Sequence, residues 1–158
     1  MSARLLPAVT LLAGLLLVML PLPGPVEPFR PDWVAMIALY WAFAIPQRFG
    51  LVLAWIAGLL LDVSQGTLLG QHALGLTLIT AIALHMHQRV RVAPIAQQAL
   101  FVMILLLIKQ ALVLWVSGMI DRAPDDLWRY FASPVVALIL WPLVFVILRD
   151  LRRRYHLA

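Results

Sequence analysis

The sequence has no cysteine and few charged residues. Without cysteine, its 158 residues can form no disulfide, thiolate metal site or cysteine nucleophile. Charged residues make up 12% of the chain, whereas soluble domains contain about 25%. Enzyme signatures are also missing: there is no HExxH, P-loop, Gly-rich dinucleotide fingerprint or Ser-His-Asp spacing. We therefore expect a chain that is not an enzyme and binds no cofactor or metal.

Hydrophobic residues dominate the composition. They form 64% of the chain, and the mean hydropathy is +0.98. A soluble core of this size could not bury so much apolar surface, which predicts an all-α, polytopic membrane protein. Residues 1–158 are expected to form a single integral membrane domain, because no loop is long enough for a second. The formal charge of +5 lies at segment ends and in a short tail, which argues against nucleic-acid binding.

Six apolar segments alternate with polar breaks. The segments are residues 5–20, 32–45, 49–63, 67–87, 94–120 and 134–148. We predict one transmembrane helix for each segment, the first being a retained span rather than a cleaved signal peptide. Residues 32–45 are short for a full span, so the second and third helices are expected to form a tight, partly tilted or partly buried hairpin. A re-entrant pair is the alternative.

The distribution of basic residues predicts the orientation. With six spans, eight arginines fall on one side and three on the other. The first side carries Arg4, Arg48, Arg89, Arg91, Arg149, Arg152, Arg153 and Arg154, and the second carries Arg30, Arg122 and Arg129. Basic residues accumulate on the cytoplasmic side of membrane proteins. Both termini are therefore expected in the cytoplasm, and residues 87–94 are expected to be a basic loop there.

The stretch "GLLLDVSQGTLLGQHALG", residues 58–75, places a carboxylate at the edge of an apolar segment. A turn is expected at residues 64–66. Gly58, Gly66 and Gly70 would let the two flanking helices approach closely. Asp62 would then hydrogen-bond to backbone amides of the turn or to Gln65. The alternative is that Asp62 contacts a partner or a substrate.

Lys109 is the second intramembrane polar residue. It lies about 16 Å of helix rise from the outer end of its segment, near the limit for a snorkelling lysine. A buried ammonium needs a carboxylate, a carbonyl or water. Asp62 is the predicted partner, and a transported-ion or ligand site and simple snorkelling remain alternatives.

Residues 29–79 resemble the signature of the rod shape-determining protein MreD family. The features that carry the resemblance are "RPDW", "YW" followed by P-x-R-x-G, "GLLLDV" and "LLGQHAL". Beyond residue 90 the chain resembles this family only in hydropathy.

The resemblance implies a multi-pass protein of the bacterial inner membrane that acts as a scaffold in cell elongation. Its expected partners are MreC directly, and MreB, RodA and penicillin-binding protein 2 indirectly, in peptidoglycan synthesis and cell-shape control; self-association is compatible with this role. The candidate partner-interface or hairpin residues are Arg30, Asp32, Trp33, Pro46, Arg48, Gly50, Gly58, Asp62, Gly66, Gly70, Gln71 and His72.

The same family is similar in fold to the substrate-binding subunits of energy-coupling-factor transporters. This similarity keeps a second function open, a vitamin-like small-molecule binding subunit of a membrane transporter. Such a subunit would need a cavity open to the outside and lined by Asp62, Gln71, His72 or Lys109. A tightly packed interior would argue against it.

Overall fold

The computed structural model describes residues 5–156, and this range is helical without any strand. The helices are α1 (Leu6–Met19), α2 (Trp33–Ala44), α3 (Leu51–Gln65), α4 (Gln71–Arg91), α5 (Ile95–Met119), α6 (Leu127–Tyr130) and α7 (Ala132–Arg154), with a 3-10 turn at Glu27–Phe29. Each of the six apolar segments contains one helix of at least 12 residues, so the all-α prediction is confirmed for residues 5–156. The one-turn α6 lies in a stretch without a predicted helix, where the Asp126 carboxylate accepts from the backbone amide of Trp128 at 3.1 Å.

Helix α2 lies at the centre of the bundle. Every residue from Val34 to Phe43 is at most 7% exposed. A helix that is apolar on all sides is stable only when other elements surround it, and α2 packs against α1, α4 and α7. The aromatic rings of Tyr40, Trp41 and Phe43 pack edge-on against neighbouring rings.

The closely packed hairpin is formed by α3 and α4 rather than by α2 and α3. Helix α3 makes its main contacts with α4, and α2 has few contacts with α3. The prediction of a tight hairpin between the second and third helices is therefore wrong, whereas the close approach predicted for the third and fourth helices is confirmed at Gly58. The physical reason is that α2 carries apolar side chains all round, whereas α3 has the glycine that lets it approach another helix closely.

Two helix boundaries of α4 differ from the sequence prediction. The helix begins at Gln71 because Gly66 and Gly70, with φ of +64° and +99°, take left-handed conformations that end α3 and precede α4. It continues to Arg91, so most of the predicted basic loop at residues 87–94 is helical. Arginines in a last turn interact favourably with the free carbonyls and the helix dipole, which explains why the helix continues.

Two described helices are long and apolar enough to cross a membrane. They are Ile95–Met119, with 25 residues, and the continuous stretch Leu127–Arg154, with 28 residues. Helices α1 and α3 are also apolar but shorter, with 14 and 15 residues. The outer surface of the bundle carries many exposed large apolar side chains, and a surface of this kind is typical of a membrane or protein contact.

Candidate functional site

Most of the candidate residues lie at one end of the bundle, which we call the polar end. It is formed by residues 20–32, by the turn between α3 and α4, and by residues 117–133. These segments surround a polar cavity of about 1020 Å³. Its polar lining includes Glu27, Arg30, Asp32, Ser64, Gln65, Thr67, Gln71, His72, Lys109, Gln110, Ser117, Arg122, Asp126, Arg129, Tyr130 and Ser133.

Asp62 is fully buried and caps the start of α4. One carboxylate oxygen accepts from the His72 backbone amide at 2.8 Å and from the Thr67 hydroxyl at 2.9 Å. The other oxygen accepts from the Gly70 amide at 2.8 Å and from the Ala73 amide at 3.3 Å. Asp62 therefore accepts from backbone amides as predicted, but these amides belong to Gly70 and the start of α4 rather than to the predicted turn at residues 64–66, where Ser64 and Gln65 are still part of α3. Gln65 is not among its hydrogen-bond partners.

The imidazole of His72 completes the shell of the carboxylate. Its Nδ1 lies 2.9 Å from an Asp62 oxygen, so Nδ1 carries the hydrogen and donates a hydrogen bond to the carboxylate. Gly70 at the N-cap has no side chain that could accept from the first amides of α4. The Asp62 carboxylate replaces the missing capping side chain, and its negative charge is favourable at a helix N-terminus.

Close approach of α3 and α4 occurs at Gly58. A Cβ at this position would lie 2.3 Å from the Cα of Ala73, so only glycine fits against the α4 backbone. The expectation that Gly66 and Gly70 also permit close approach is wrong, because apart from the adjacent residues no atom lies within 4 Å of a Cβ built on either glycine. These two glycines are needed for their positive φ.

Lys109 pairs with Asp32 rather than with Asp62. Lys109 as a whole is 2% exposed, and its ammonium group donates to the Asp32 carboxylate. The same carboxylate caps α2 by accepting from the Ala35 amide at 3.1 Å. The predicted pairing of Lys109 with Asp62 is therefore wrong. It fails because Asp62 is already surrounded by donors of its own turn, whereas Asp32 directs its second oxygen at α5.

Two further contacts fix α5 against α4. A Cβ at Gly75 would lie 2.8 Å from the Cγ of Lys109, so this glycine makes room for the lysine stem. The Gln71 amide donates to the Val113 carbonyl at 3.0 Å and to the Ser117 hydroxyl at 2.6 Å. Gln71 is therefore a link between helices within the wall of the cavity.

Arg30 caps the end of α1. Its guanidinium donates to the Val18 carbonyl and, at 2.6 Å, to the Leu20 carbonyl, both beyond the reach of further helical donors. Trp33 follows Asp32 as the first residue of α2 and is half-buried. Two residues of the string "RPDW" therefore cap helices: Arg30 caps the end of α1, and Asp32 caps the start of α2.

Sequence reasoning missed the link between Gln110 and Tyr130. The Gln110 side chain donates to the Tyr130 carbonyl at 3.1 Å, and the Tyr130 hydroxyl donates to the Gln110 carbonyl at 3.2 Å. The Gln110 side-chain oxygen is buried in the cavity wall without a hydrogen-bond partner. A glutamine directly after a lysine within a long apolar segment is the signal that could have indicated this contact.

The remaining candidate residues lie at the opposite end of the bundle. Pro46, Arg48 and Gly50 belong to the turn between α2 and α3, where Arg48 is exposed. The structure thus separates the predicted set into three groups: the cap of α1 and α2, the α3–α4 turn, and this distant turn. Within residues 5–156, no three His, Asp or Glu side chains converge as a metal site.

Comparison with known proteins identifies related sequences. A family model described as rod shape-determining protein MreD matches residues 2–151. A curated protein of Haemophilus influenzae named "Rod shape-determining protein MreD" is 28% identical over 137 residues, which cover 87% of this chain and 84% of that relative. No solved structure matches the chain significantly.

Proposed function

Because the chain belongs to the MreD family of rod shape-determining proteins, we propose that it is a non-enzymatic inner-membrane scaffold of the cell-elongation machinery. Family membership and the two span-length helices support a membrane protein with a role in rod-shape determination. In this scaffold the chain binds MreC and, through it, supports peptidoglycan synthesis by RodA and penicillin-binding protein 2 along MreB filaments.

The proposed topology has six spans with both termini in the cytoplasm. Six helices of 12 to 25 residues, one in each apolar segment, and the excess of arginine at one end of the bundle support it. In this topology the polar end faces the periplasm. The test uses a reporter that is active only in the periplasm, fused after Tyr155 or inserted at Gly24. Activity at Gly24 and silence after Tyr155 are expected, and the reverse pattern would overturn the topology.

The single observation that carries the scaffold proposal is an apolar stripe on a rigidly held hairpin. Val52, Ile56, Leu60 and Val63 lie three or four residues apart on α3 and are between 45% and 72% exposed. This spacing places them on one face of the helix. The opposite face is fixed to α4 by the contact at Gly58 and by the Asp62 cap. A stripe of this kind fits the membrane-spanning helix of a single-pass partner, which we take to be MreC.

Because the sequence contains no cysteine, any disulfide cross-link to this chain must involve the cysteine that is introduced. A single cysteine is introduced at Ile56 on the stripe, and a matched one at Ile139 on the exposed face of α7. Each variant is expressed with MreC that carries one cysteine in its membrane segment. Oxidation should give a cross-linked heterodimer from Ile56→Cys and none from Ile139→Cys. Equal cross-linking at both positions, or none at Ile56, would contradict the interface.

The polar cavity favours a second candidate function, a small-molecule binding subunit. Three of the four residues expected in such a cavity line it: Gln71, His72 and Lys109. Asp62 does not line it, because it is fully buried against His72. Its volume of about 1020 Å³ is at the upper end of ligand sites, which span about 300–1,000 Å³. Helix α2 is buried at the centre of the bundle, so a small-molecule ligand of this size would bind in the cavity at the polar end.

Filling the cavity separates the two functions. Ser64 lines the cavity, and its side chain makes only a local bond to the Leu61 carbonyl. If the protein is a scaffold, Ser64→Trp should still restore rod shape to a deletion strain and co-purify with MreC. If a ligand is required, rod shape should be lost with Ser64→Trp and kept with the control Ser64→Ala.

A further inference from the structure

A second pocket lies at the opposite end of the bundle, between the α2–α3 turn and the end of α4. It has a volume of about 340 Å³, and we call it the arginine pocket. It is lined by Ala44, Ile45, Pro46, Gln47, Arg48, His87, Gln88 and Arg91. We propose that the arginine pocket binds the phosphate of an anionic membrane lipid with a hydroxylated headgroup, such as phosphatidylglycerol. The proposal rests on the membrane location argued above and is independent of MreC.

The charges that line the pocket have one sign. Arg48 and Arg91 contribute two guanidinium groups, and the lining contains no carboxylate. Within residues 5–156, neither arginine takes part in an ion pair. Both side chains are exposed, so their donors are available to a ligand.

The elements packed around the pocket add further positive charge. Arg152 of α7 reaches the Ala44 carbonyl at 3.5 Å, and Arg89 lies on the same last turns of α4 as Arg91. The one nearby acidic residue of α7, Asp150, lies 3.9 Å from the guanidinium of Arg149. The positive charge at this end of the bundle therefore favours the binding of a negatively charged ligand.

Guanidinium groups and a phosphate group are chemically complementary. The planar fork of arginine donates two parallel hydrogen bonds to phosphate oxygens, and these charge-assisted bonds are among the stronger ones in proteins. Basic pockets between membrane helices on the cytoplasmic side are known to hold anionic headgroups. The volume of the pocket lies at the lower end of ligand sites, which suits a headgroup but not a whole lipid.

The neutral groups of the lining suit hydroxyls next to the phosphate. The Nδ1 of His87 lies 2.5 Å from the Leu84 carbonyl and must donate to it, because a carbonyl only accepts. In the neutral ring, Nε2 is then the acceptor for a hydroxyl. Gln47 and Gln88 add an amide donor and acceptor each. These groups fit the glycerol of a phosphatidylglycerol headgroup better than a trimethylammonium group.

Apolar surface beside the pocket provides a place for the acyl chains. Leu51 follows Arg48 at the start of α3, and Val92 follows Arg91 at the end of α4; both are exposed and neither belongs to the α3 stripe assigned to MreC. A lipid with its phosphate in the pocket can therefore lay its chains against these two residues. Free inorganic phosphate would use the two arginines but not this surface.

Native mass spectrometry of the full chain in detergent tests the assignment. The protein is titrated with phosphatidylglycerol, with phosphatidylcholine and with glycerol 3-phosphate. Binding should be strongest for phosphatidylglycerol, and the double variant Arg48→Gln, Arg91→Gln should bind it about tenfold more weakly or worse. Arg48→Lys, Arg91→Lys should keep part of the affinity, because the charge stays and the fork is lost.

The matched control removes two arginines from the polar end, Arg122→Gln with Arg129→Gln. This control changes the net charge equally and should leave phosphatidylglycerol binding unchanged. An equal loss in the control would show general electrostatic attraction and overturn the pocket. Displacement of the lipid by an equal concentration of glycerol 3-phosphate would overturn the lipid assignment in favour of a soluble phosphate. Circular dichroism of each variant confirms that it is folded.

Discussion

The two ends of the bundle use charged residues in opposite ways. At the polar end, Arg30, Asp32, Asp62 and Lys109 each contact a helix terminus or an opposite charge of the same chain. At the other end, Arg48 and Arg91 line a pocket and pair with no carboxylate among residues 5–156. Charged side chains therefore fix helix termini and pair with one another at the polar end, whereas Arg48 and Arg91 at the other end keep their donors exposed. Substitutions at the two ends should therefore differ in their effects on stability.

The largest effect is expected from the buried ion pair. Lys109→Met or Asp32→Asn alone leaves one charged group without its partner, which typically costs about 3–5 kcal/mol. The double variant should lose less than the sum of the two single variants. Thermal unfolding in detergent and protein abundance in the membrane measure these losses. Losses that simply add would show that Asp32 and Lys109 do not interact.

The same cycle with Asp62 serves as the control. Asp62→Asn combined with Lys109→Met should be close to additive, because Asp62 binds its own turn. A strong coupling between these two residues would support the pairing first expected from the sequence and contradict the contacts described above.

A smaller but still substantial loss is expected from the α4 cap. Asp62→Ala removes the acceptor for three backbone amides and two side chains. Unsatisfied buried donors cost about 1–3 kcal/mol, and loss of a cap about 0.5–2 kcal/mol. The midpoint of thermal unfolding should fall clearly. Asp126→Ala, which removes the cap of the exposed α6, is the matched control and should cost much less.

Gly58 tests how closely α3 and α4 approach. Gly58→Ala should force the helices apart, since its Cβ would collide with the Ala73 backbone. Overpacking of this kind costs about 1–3 kcal/mol. Gly118→Ala lies on α5 with open space around it and should be neutral or slightly stabilising. Equal unfolding midpoints for the two variants would contradict the close approach.

Gly66 tests backbone conformation in the same turn. Gly66→Leu has room for its side chain but must adopt a positive φ, at a cost of about 1–2 kcal/mol. Gly66→Asn should lose less, because asparagine tolerates the left-handed region better. Thermal unfolding of both variants provides the comparison, and a leucine variant as stable as the asparagine variant would argue against the left-handed turn.

The smallest effect is expected at the arginine end. Arg48→Gln and Arg91→Gln remove exposed side chains that form no ion pair within residues 5–156. Arg91 contributes only its favourable position in the last turn of α4, and exposed substitutions of this kind change stability by about 0.5 kcal/mol or less. Their unfolding midpoints without added lipid should match that of the wild type. A fall in the unfolding midpoint as large as that of Asp62→Ala would contradict the proposed difference between the two ends.

Helices could be predicted from the sequence more reliably than contacts. Long apolar segments separated by prolines and charges specify where helices lie, because the signal is local. The pairing of Lys109 could not be read in this way, since Asp32 is 77 positions away and the choice depends on how α2 packs. Asp62 was partly predictable because its partners follow within eleven residues. The left-handed conformations of Gly66 and Gly70 could not be predicted, because the spacing of residues in the sequence does not specify φ angles.

The Asp62 cap also has a consequence for the order in which the chain assembles. All of its donors come from residues Thr67 to Ala73, so the cap can close as soon as α4 has been synthesised. The contact between Lys109 and Asp32 closes a much longer loop and needs α5. Because short loops close at lower entropic cost and faster than long ones, we expect the α3–α4 hairpin to form during synthesis as an early unit. The contact between Lys109 and Asp32 would then form later and join the first half of the chain to the second.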